Sequence, residues 1–412
     1  MSVEIEVDPG EVGFDAARLR RIDRHFAQYV DTGKLPGWLV LVARRGKIAH
    51  LAAHGMRDVE SGAPVCPDTL FRIFSMTKPI TSTAIMMLHE EGALELTDPV
   101  SDFIPSFVDM RVYTSGSASA PQTRPAGEEM RIWHLLTHTS GLTYDFHHLH
   151  PVDELYRRAG FGNGLGARLD LAGCCDAWAS LPLLFDPGTA WNYSVATDVL
   201  GRIVEVISGQ TLDEFFRTRI FEPLGMADTG FAVAREDADR LATLYIADPQ
   251  GLARRHPKHD EAHAAAFELP KALSGGGGLF SSAYDYHRFT QMLLRRGELD
   301  GARLLGSRTV DYMTRNHLPG GADLESLALN SFSEARNAGK GFGLGFSVVQ
   351  DPAAGKVISS AGEYAWGGVA STAFWVDPAE DLTVLFLTQL MPSSTHPIRS
   401  QLHQLVYQAL VD

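Results

Sequence analysis

The strand signals of this 412-residue chain sit at its two ends, with helical signals filling the stretch between them. Near the N-terminus, WLVLVARRGKIAHLAA (38–53) reads as a hairpin, two apolar runs joined at Arg44-Arg45-Gly46-Lys47. Near the C-terminus, KVISSAG (356–362), VASTAFWVDP (369–378) and DLTVLFLTQL (381–390) read as three more strands, followed by a helix over HPIRSQLHQLVYQALV. Strands that far apart in sequence share a core only if they join one sheet. The expected fold is therefore α/β of the α+β type. An antiparallel sheet built by both chain ends is flanked by helices, and a mostly helical region is inserted. We place the sheet-bearing domain at 1–105 plus 275–412, the helical domain at 106–274, and a cleft between them.

The middle of the chain fits this division. Helical periodicity marks 131–140, 151–159, 197–208, 211–219 and 284–296, and an N-terminal helix is expected over 15–31. Residues 114–127 are poor in apolar side chains and read as a mobile surface loop, with a second loop candidate at 318–341. The net charge of −14 repels phosphate backbones and anionic lipid surfaces, which speaks against nucleic acid or membrane as partners. No apolar run is long enough to span a bilayer. The acidic N-terminus lacks the layout of an export signal, and three cysteines cannot all pair. A cytoplasmic location is expected; the sequence specifies no oligomeric state.

Ser75-Met76-Thr77-Lys78 stands where an amphipathic helix begins, and it is the only Ser-x-x-Lys in the chain. On a helix that spacing puts serine and lysine on one face, roughly 5–6 Å apart at Cβ. An amine can then manage the proton of a hydroxyl nucleophile. Pro79 falls in the first turn and Gly92 follows the last, which bounds the helix. On the tetrapeptide alone the favoured reading is that Ser75 only caps the helix while Lys78 extends into solvent.

Nucleophilic catalysis needs a second proton carrier and an oxyanion hole besides. Tyr193, just ahead of a helix that starts near Ala196, is the candidate carrier, with Asp198 either holding the tyrosine end of the site or simply sitting in the helix's first turn, where it favours the dipole. The backbone N–H of Ser75 supplies one oxyanion donor. Trp366-Gly367-Gly368-Val369 supplies the other, since two glycines let a strand edge approach a ligand and leave the Val369 N–H facing the cleft.

Ser-x-x-Lys, then Tyr193-Ser194, then a Gly-Gly strand near the C-terminus resembles the serine β-lactamase and penicillin-recognising fold, class C branch. His134-Leu-Leu-Thr-His138-Thr-Ser-Gly-Leu142, Pro187-Gly188-Thr189, FEPLGMADTGF (221–231) and the run from Ser274 look like framework segments of that family, in its order. The resemblance implies Ser75 as acylated nucleophile, activated by Lys78 and Tyr193, with Val369 as second oxyanion donor. Which of Lys78 and Tyr193 is the first base stays open.

The chain departs from the lactamase pattern twice. Ser194-Val195 stands where a class C β-lactamase has Ala-Asn, and Trp366-Gly367-Gly368 replaces the Lys-Thr-Gly box. A substrate carboxylate thereby loses a charge-assisted contact of about 1.5–3 kcal/mol, while an indole offers apolar area to a neutral ester. This is the pattern of family VIII carboxylesterases and of the related statin acyltransferase. In that group Tyr144 is a further wall of the site, so Tyr144, Asp198, Trp366, Gly367 and Gly368 are the expected substrate-binding residues.

The implied function is a serine carboxylesterase acting on small or short-chain esters, without cofactor or metal. Its rivals are acyl transfer to an alcohol, β-lactamase or D-amino-acid peptidase activity, and a non-catalytic ligand-binding role. No complete Gly-x-Ser-x-Gly occurs. His134, His138, His147, His148 and His150 lack the His-Glu-x-x-His arrangement of a metal site. Gly160 to Gly166 follow a helix rather than a strand, and Gly275 to Gly278 lack a P-loop ending. The latter glycines are expected to let the backbone turn close beside the cleft.

Overall fold

A computed structural model describes residues 3–162, 164–166, 168–329 and 337–412. A helix α1 (Arg21–Asp31) leads into β1 (Gly37–Arg44), β2 (Lys47–Asp58) and the short β3 (Ala63–Pro64). A two-residue strand, β4 (Phe71–Arg72), precedes helix α2 (Thr77–Glu90). The middle of the chain carries helix α3 (Ala196–Ser208) among shorter helices at Ile132–Leu136, Pro151–Arg158, Leu171–Ala179 and Leu212–Phe216. Next come β5 (Phe280–Ser281) and α4 (Ala283–Leu294). The C-terminal part then gives β6 (Lys340–Phe342), β7 (Ser347–Val349), β8 (Tyr364–Gly367), β9 (Ala373–Asp377), β10 (Leu382–Leu387) and helix α5 (Ile398–Tyr407).

Eight strands form one sheet in the order β6-β7-β8-β9-β10-β1-β2-β3. Every neighbouring pair is antiparallel. The two chain ends meet at the centre, where β1 pairs with β10 and Leu39 faces Leu387. Successive side chains of β1 point to opposite faces. Leu39 and Leu41 join the core that also holds Ile80, Ile85 and Phe289, whereas Val40 and Val42 pack with Phe26, Trp375 and Leu402. Helices cover both faces, which is why β1 is buried throughout and reads as an unbroken apolar run.

Two expectations fail. Residues 356–362 form no strand: Lys356 sits at φ 55 behind a short helix (Pro352–Gly355), and pairing resumes only at Tyr364. Left-handed backbone at Lys356 breaks the extended path that its apolar neighbours suggest. Residues 114–127 are not an irregular loop but most of a hairpin, Arg111–Ser117 against Ala120–Pro125. Its ladder rests on backbone pairing and on Arg111 donating to Thr123 Oγ1 (2.8 Å) and the Thr123 carbonyl (3.0 Å), so it needs little apolar content. The loop candidate 318–341 includes a helical turn at Leu324–Leu327, and its residues 330–336 lie outside the described residues. No helix among the described residues is long and apolar enough to cross a membrane.

Candidate active site

Ser75 lies in a single tight turn, Phe74–Met76, between β4 and α2. No side chain caps that turn or α2, so Ser75 is not a helix cap. Phe74 just before it holds φ 44, a left-handed conformation that costs a bulky residue about 1–3 kcal/mol. The turn swings the chain sharply from strand into helix and brings Ser75 to the wall of a cleft of about 1050 Å³. Ser75 Oγ shares a 2.6 Å hydrogen bond with the Tyr193 hydroxyl. One helical turn along, Lys78 Nζ lies 3.4 Å from the same oxygen.

Lys78 is 2% exposed, and its amine lies among several acceptors. It donates to the Gly276 carbonyl (2.7 Å), to the Tyr144 hydroxyl oxygen (3.0 Å) and weakly to Ser75 Oγ. Its Nζ also stands 4.5 Å from the centre of the Tyr193 ring. Burial pushes the Tyr144 phenol well above its ordinary pKa, aided by the negative charge of Asp198 and by Tyr193 and Asp145. Tyr144 thus stays a neutral acceptor for Lys78, a contact beyond the wall role expected for it.

Asp198 acts on the turn that holds Lys78. Its Oδ1 accepts from Ser274 Oγ (2.5 Å) and from the Gly276 N–H (3.0 Å), and so fixes the turn whose carbonyl holds Lys78. Burial raises its pKa, against the opposing charge of Lys78 and those two hydrogen bonds. The glycine run is needed here: a Cβ on Gly276 would sit 2.5 Å from Asp198 Oδ2, and one on Gly275 would sit 2.8 Å from the Thr197 carbonyl. Thr81 Oγ1 donates to the Gly275 carbonyl (2.7 Å) and Thr77 Oγ1 accepts from the Leu279 N–H (3.2 Å), locking α2 to this turn.

Tyr193 is held from behind. Its carbonyl accepts from His147 Nε2 (2.7 Å) and Asn192 Nδ2 (3.3 Å). Its ring packs 5.0 Å from His138, 5.3 Å from Tyr144 and 5.6 Å from Trp366. His138 is fully enclosed; burial, then the nearby Lys78 and His147, holds its pKa well below the ordinary value, so it is a neutral wall. His134 Nδ1 accepts from the Arg131 N–H (3.0 Å), and His150 Nδ1 from the Val152 N–H (3.1 Å). Among the described residues, no group of three His, Cys, Asp or Glu side chains is placed to hold a metal.

Opposite Ser75 runs the end of β8. Trp366 faces the cleft against Tyr193 and Phe342. A Cβ on Gly368 would stand 2.6 Å from the Ile73 carbonyl oxygen, so only glycine lets this strand press against the backbone leading to Ser75. On Gly367 a Cβ would collide with the Arg399 guanidinium, which reaches from α5 toward the Gly368 and Thr372 carbonyls (3.4 Å each). Arg399 therefore occupies space that a threonine side chain would take. Val369 follows, 36% exposed, lining the cleft. Phe146, 43% exposed, stacks on Tyr144 (4.6 Å, 21°) and lines the cleft as well.

The family model described as Beta-lactamase matches residues 22–408. Protein Rv1367c of Mycobacterium tuberculosis is 38% identical over 365 residues, covering 88% of each chain. Esterase EstB of Burkholderia gladioli is 35% identical over 397 residues, covering 93% of each. Among solved structures, EstCE1, described as a hydrolase with promiscuous acyltransferase activity, superposes with a TM-score of 0.76 at 28% identity, covering 95% of this chain and 98% of its own. With the family model matching nearly the whole chain and esterases among its relatives, the protein belongs to the Beta-lactamase family.

Proposed function

We propose that this carboxylic ester hydrolase works through an acyl-enzyme on Ser75, in a cleft between a sheet-bearing part (1–105 with 275–412) and a helical part (106–274). The observation that carries the reading is the meeting of Ser75 Oγ with the Tyr193 hydroxyl at 2.6 Å and with Lys78 Nζ at 3.4 Å. With one member of the Lys78/Tyr193 pair unprotonated, that pair takes the proton of Ser75 as Ser75 Oγ attacks the ester carbonyl. The oxyanion rests on the backbone N–H groups of Ser75 and Val369. The alcohol leaves with a proton delivered from the pair through Tyr193. Water, losing a proton to the same pair, then attacks the acyl-serine and releases the carboxylic acid and free Ser75.

Lys78 keeps its place through Gly276 and Tyr144, so the pair is preorganised before substrate arrives. Trp366, Tyr144 and Phe146 give the cleft aromatic walls suited to a neutral acyl or alcohol group, with Gly367 and Gly368 leaving room beside Ser75. The substrate is a small molecule. A cytoplasmic setting agrees with three unpaired cysteines, two of them buried.

Labelling with a fluorophosphonate, mapped by mass spectrometry, tests the reading: Ser75 is the expected adduct site. Ser75→Ala should keep its fold and lose turnover of a short-chain p-nitrophenyl ester. Full turnover in that variant would overturn the mechanism. EstCE1's acyltransferase activity favours one second reading, acyl transfer to an added alcohol in competition with water, which product analysis would reveal.

A further inference from the structure

Arg72 lies three residues before Ser75, on β4, and no step of the mechanism above uses it. Its backbone is clamped by one side chain: the Arg72 N–H donates to Gln389 Oε1 (3.2 Å), and Gln389 Nε2 donates to the Arg72 carbonyl (3.0 Å). Its side chain is 7% exposed and lines the cleft that holds Ser75. The guanidinium donates to the carbonyls of Ala242 (3.2 Å) and Ala262 (3.0 Å) and lies 5.2 Å from the centre of the Phe280 ring. These partners fix its plane but carry no charge. Burial pulls its pKa down to about 10, and among the described residues no carboxylate counters that effect.

A cation this deeply buried is ordinarily paired with an acid, because unpaired burial costs several kcal/mol. Two carbonyls leave part of the five-donor fork of the guanidinium unused. Lys258 and His256 line the same end of the cleft, with Glu261 beside them. The charge of Arg72 also helps hold the pKa values of His256, His259 and His263 below their ordinary level, after burial as the main cause. Arg72 is thus a buried positive charge in the wall of the cleft beside Ser75, with Lys258 exposed farther out.

We infer that Arg72, with Lys258 at the rim, binds an anionic group on the substrate, so that the preferred esters are hemi-esters of short dicarboxylic acids. This rests on Ser75 as nucleophile and adds the chemical class of the acyl chain. The α-carbons of residues 72 and 75 are at most about 11 Å apart, and both side chains line the same cleft. The carboxylate grip missing from β8, where Trp366 stands, is supplied from β4 on the other side of the nucleophile.

Acid release from monomethyl adipate and from methyl hexanoate gives two kcat/KM values whose ratio is the readout. The hemi-ester should be favoured by the native protein, and Arg72→Met should lower the ratio by about tenfold or more, the worth of a charge-assisted contact. A native protein that favours the neutral ester, or a ratio unchanged in Arg72→Met, overturns the inference. Should Arg72→Met fail to fold, the native ratio and its fall in Lys258→Ala decide. Calorimetric binding of adipate to Ser75→Ala reads the pocket without catalysis, and absence of binding there overturns the inference too. Hydrolysis of both esters through a labelled Ser75 without hemi-ester preference would sink only the Arg72 assignment. Adipate binding with Ser75 unlabelled and neither ester cleaved would sink only the acyl-enzyme.

Discussion

Gly368→Ala is the substitution through which the proposed oxyanion role of the strand end at Val369 can be read. The added methyl carbon would stand 2.6 Å from the Ile73 carbonyl oxygen and would also collide with Thr372 Oγ1. A comfortable carbon–oxygen contact lies near 3.3 Å, so the strand end must retreat by about 0.7 Å. It cannot rotate away cheaply, because the Gly368 N–H donates to the Thr372 carbonyl (2.9 Å) while the Gly368 carbonyl accepts from the Ser371 N–H (3.1 Å). Overpacking of this kind costs about 1–3 kcal/mol of stability. The retreat carries the Val369 N–H with it. Losing an oxyanion donor outright costs about 10²–10³ in rate, and a displacement of this size should cost about 10- to 100-fold in kcat, with KM changed far less. Steady-state hydrolysis of a neutral p-nitrophenyl ester measures the split, and thermal unfolding confirms that the protein is folded. Gly162→Ala is the control, since a Cβ there meets nothing within 4 Å. A folded Gly368→Ala protein with kcat within twofold of native would refute the placing of the oxyanion donor on this strand.

Tyr144→Phe removes the acceptor 3.0 Å from Lys78 Nζ while keeping the ring that stacks on Phe146. A hydrogen bond to a charged group contributes about 1.5–3 kcal/mol, so kcat should fall about tenfold or more; native kcat would show that Lys78 needs only Gly276. Asp285 gives a pH signature away from the cleft: burial raises its pKa to about 6, although its Oδ2 accepts from Thr229 Oγ1 (2.9 Å) and the Asp228 N–H (2.7 Å). The folded state holds its proton more tightly than the unfolded chain, so this residue's contribution is most favourable below pH 4 and is lost as pH rises to about 6. Asp285→Asn should therefore gain on the native protein by about 2 kcal/mol between pH 4 and pH 7; parallel denaturant curves at the two pH values, with no change in the difference, would rule this out.

The fold was legible wherever side-chain pattern and backbone demand coincide. In β1 and β10 the apolar run exists because helices bury both faces of the sheet, so the residues that make the core also announce the strand. The hairpin at 111–125 shows the opposite case. Its strands are mostly exposed, its ladder is held largely by backbone pairing, and only Val112 and Tyr113 at its base reach the core. Residues 356–362 mislead in the other direction. Val357 and Ile358 have strand propensity, yet Ile358 is 61% exposed and the chain turns at Lys356 in a left-handed conformation. Propensity without a face to bury does not hold a strand.

At the site, Ser75, Lys78 and Tyr193 could be singled out because nucleophile and base chemistry restricts which residue types serve, and the structure brings the three together. What holds them is a different matter. The Gly276 carbonyl has no side chain to advertise it, and Asp198 acts on Lys78 through a turn 78 residues further along the chain. The same logic explains the strand opposite. Replacing a threonine by Gly367 reads in sequence as a lost substrate contact, but Arg399 reaches into the freed space from a helix of the other core. The space left at Gly367 is thus filled by a residue 32 positions away that follows no local pattern. Arg72 was hidden for the same reason: an arginine on a short strand is unremarkable until burial without an acid partner makes its charge an unanswered one.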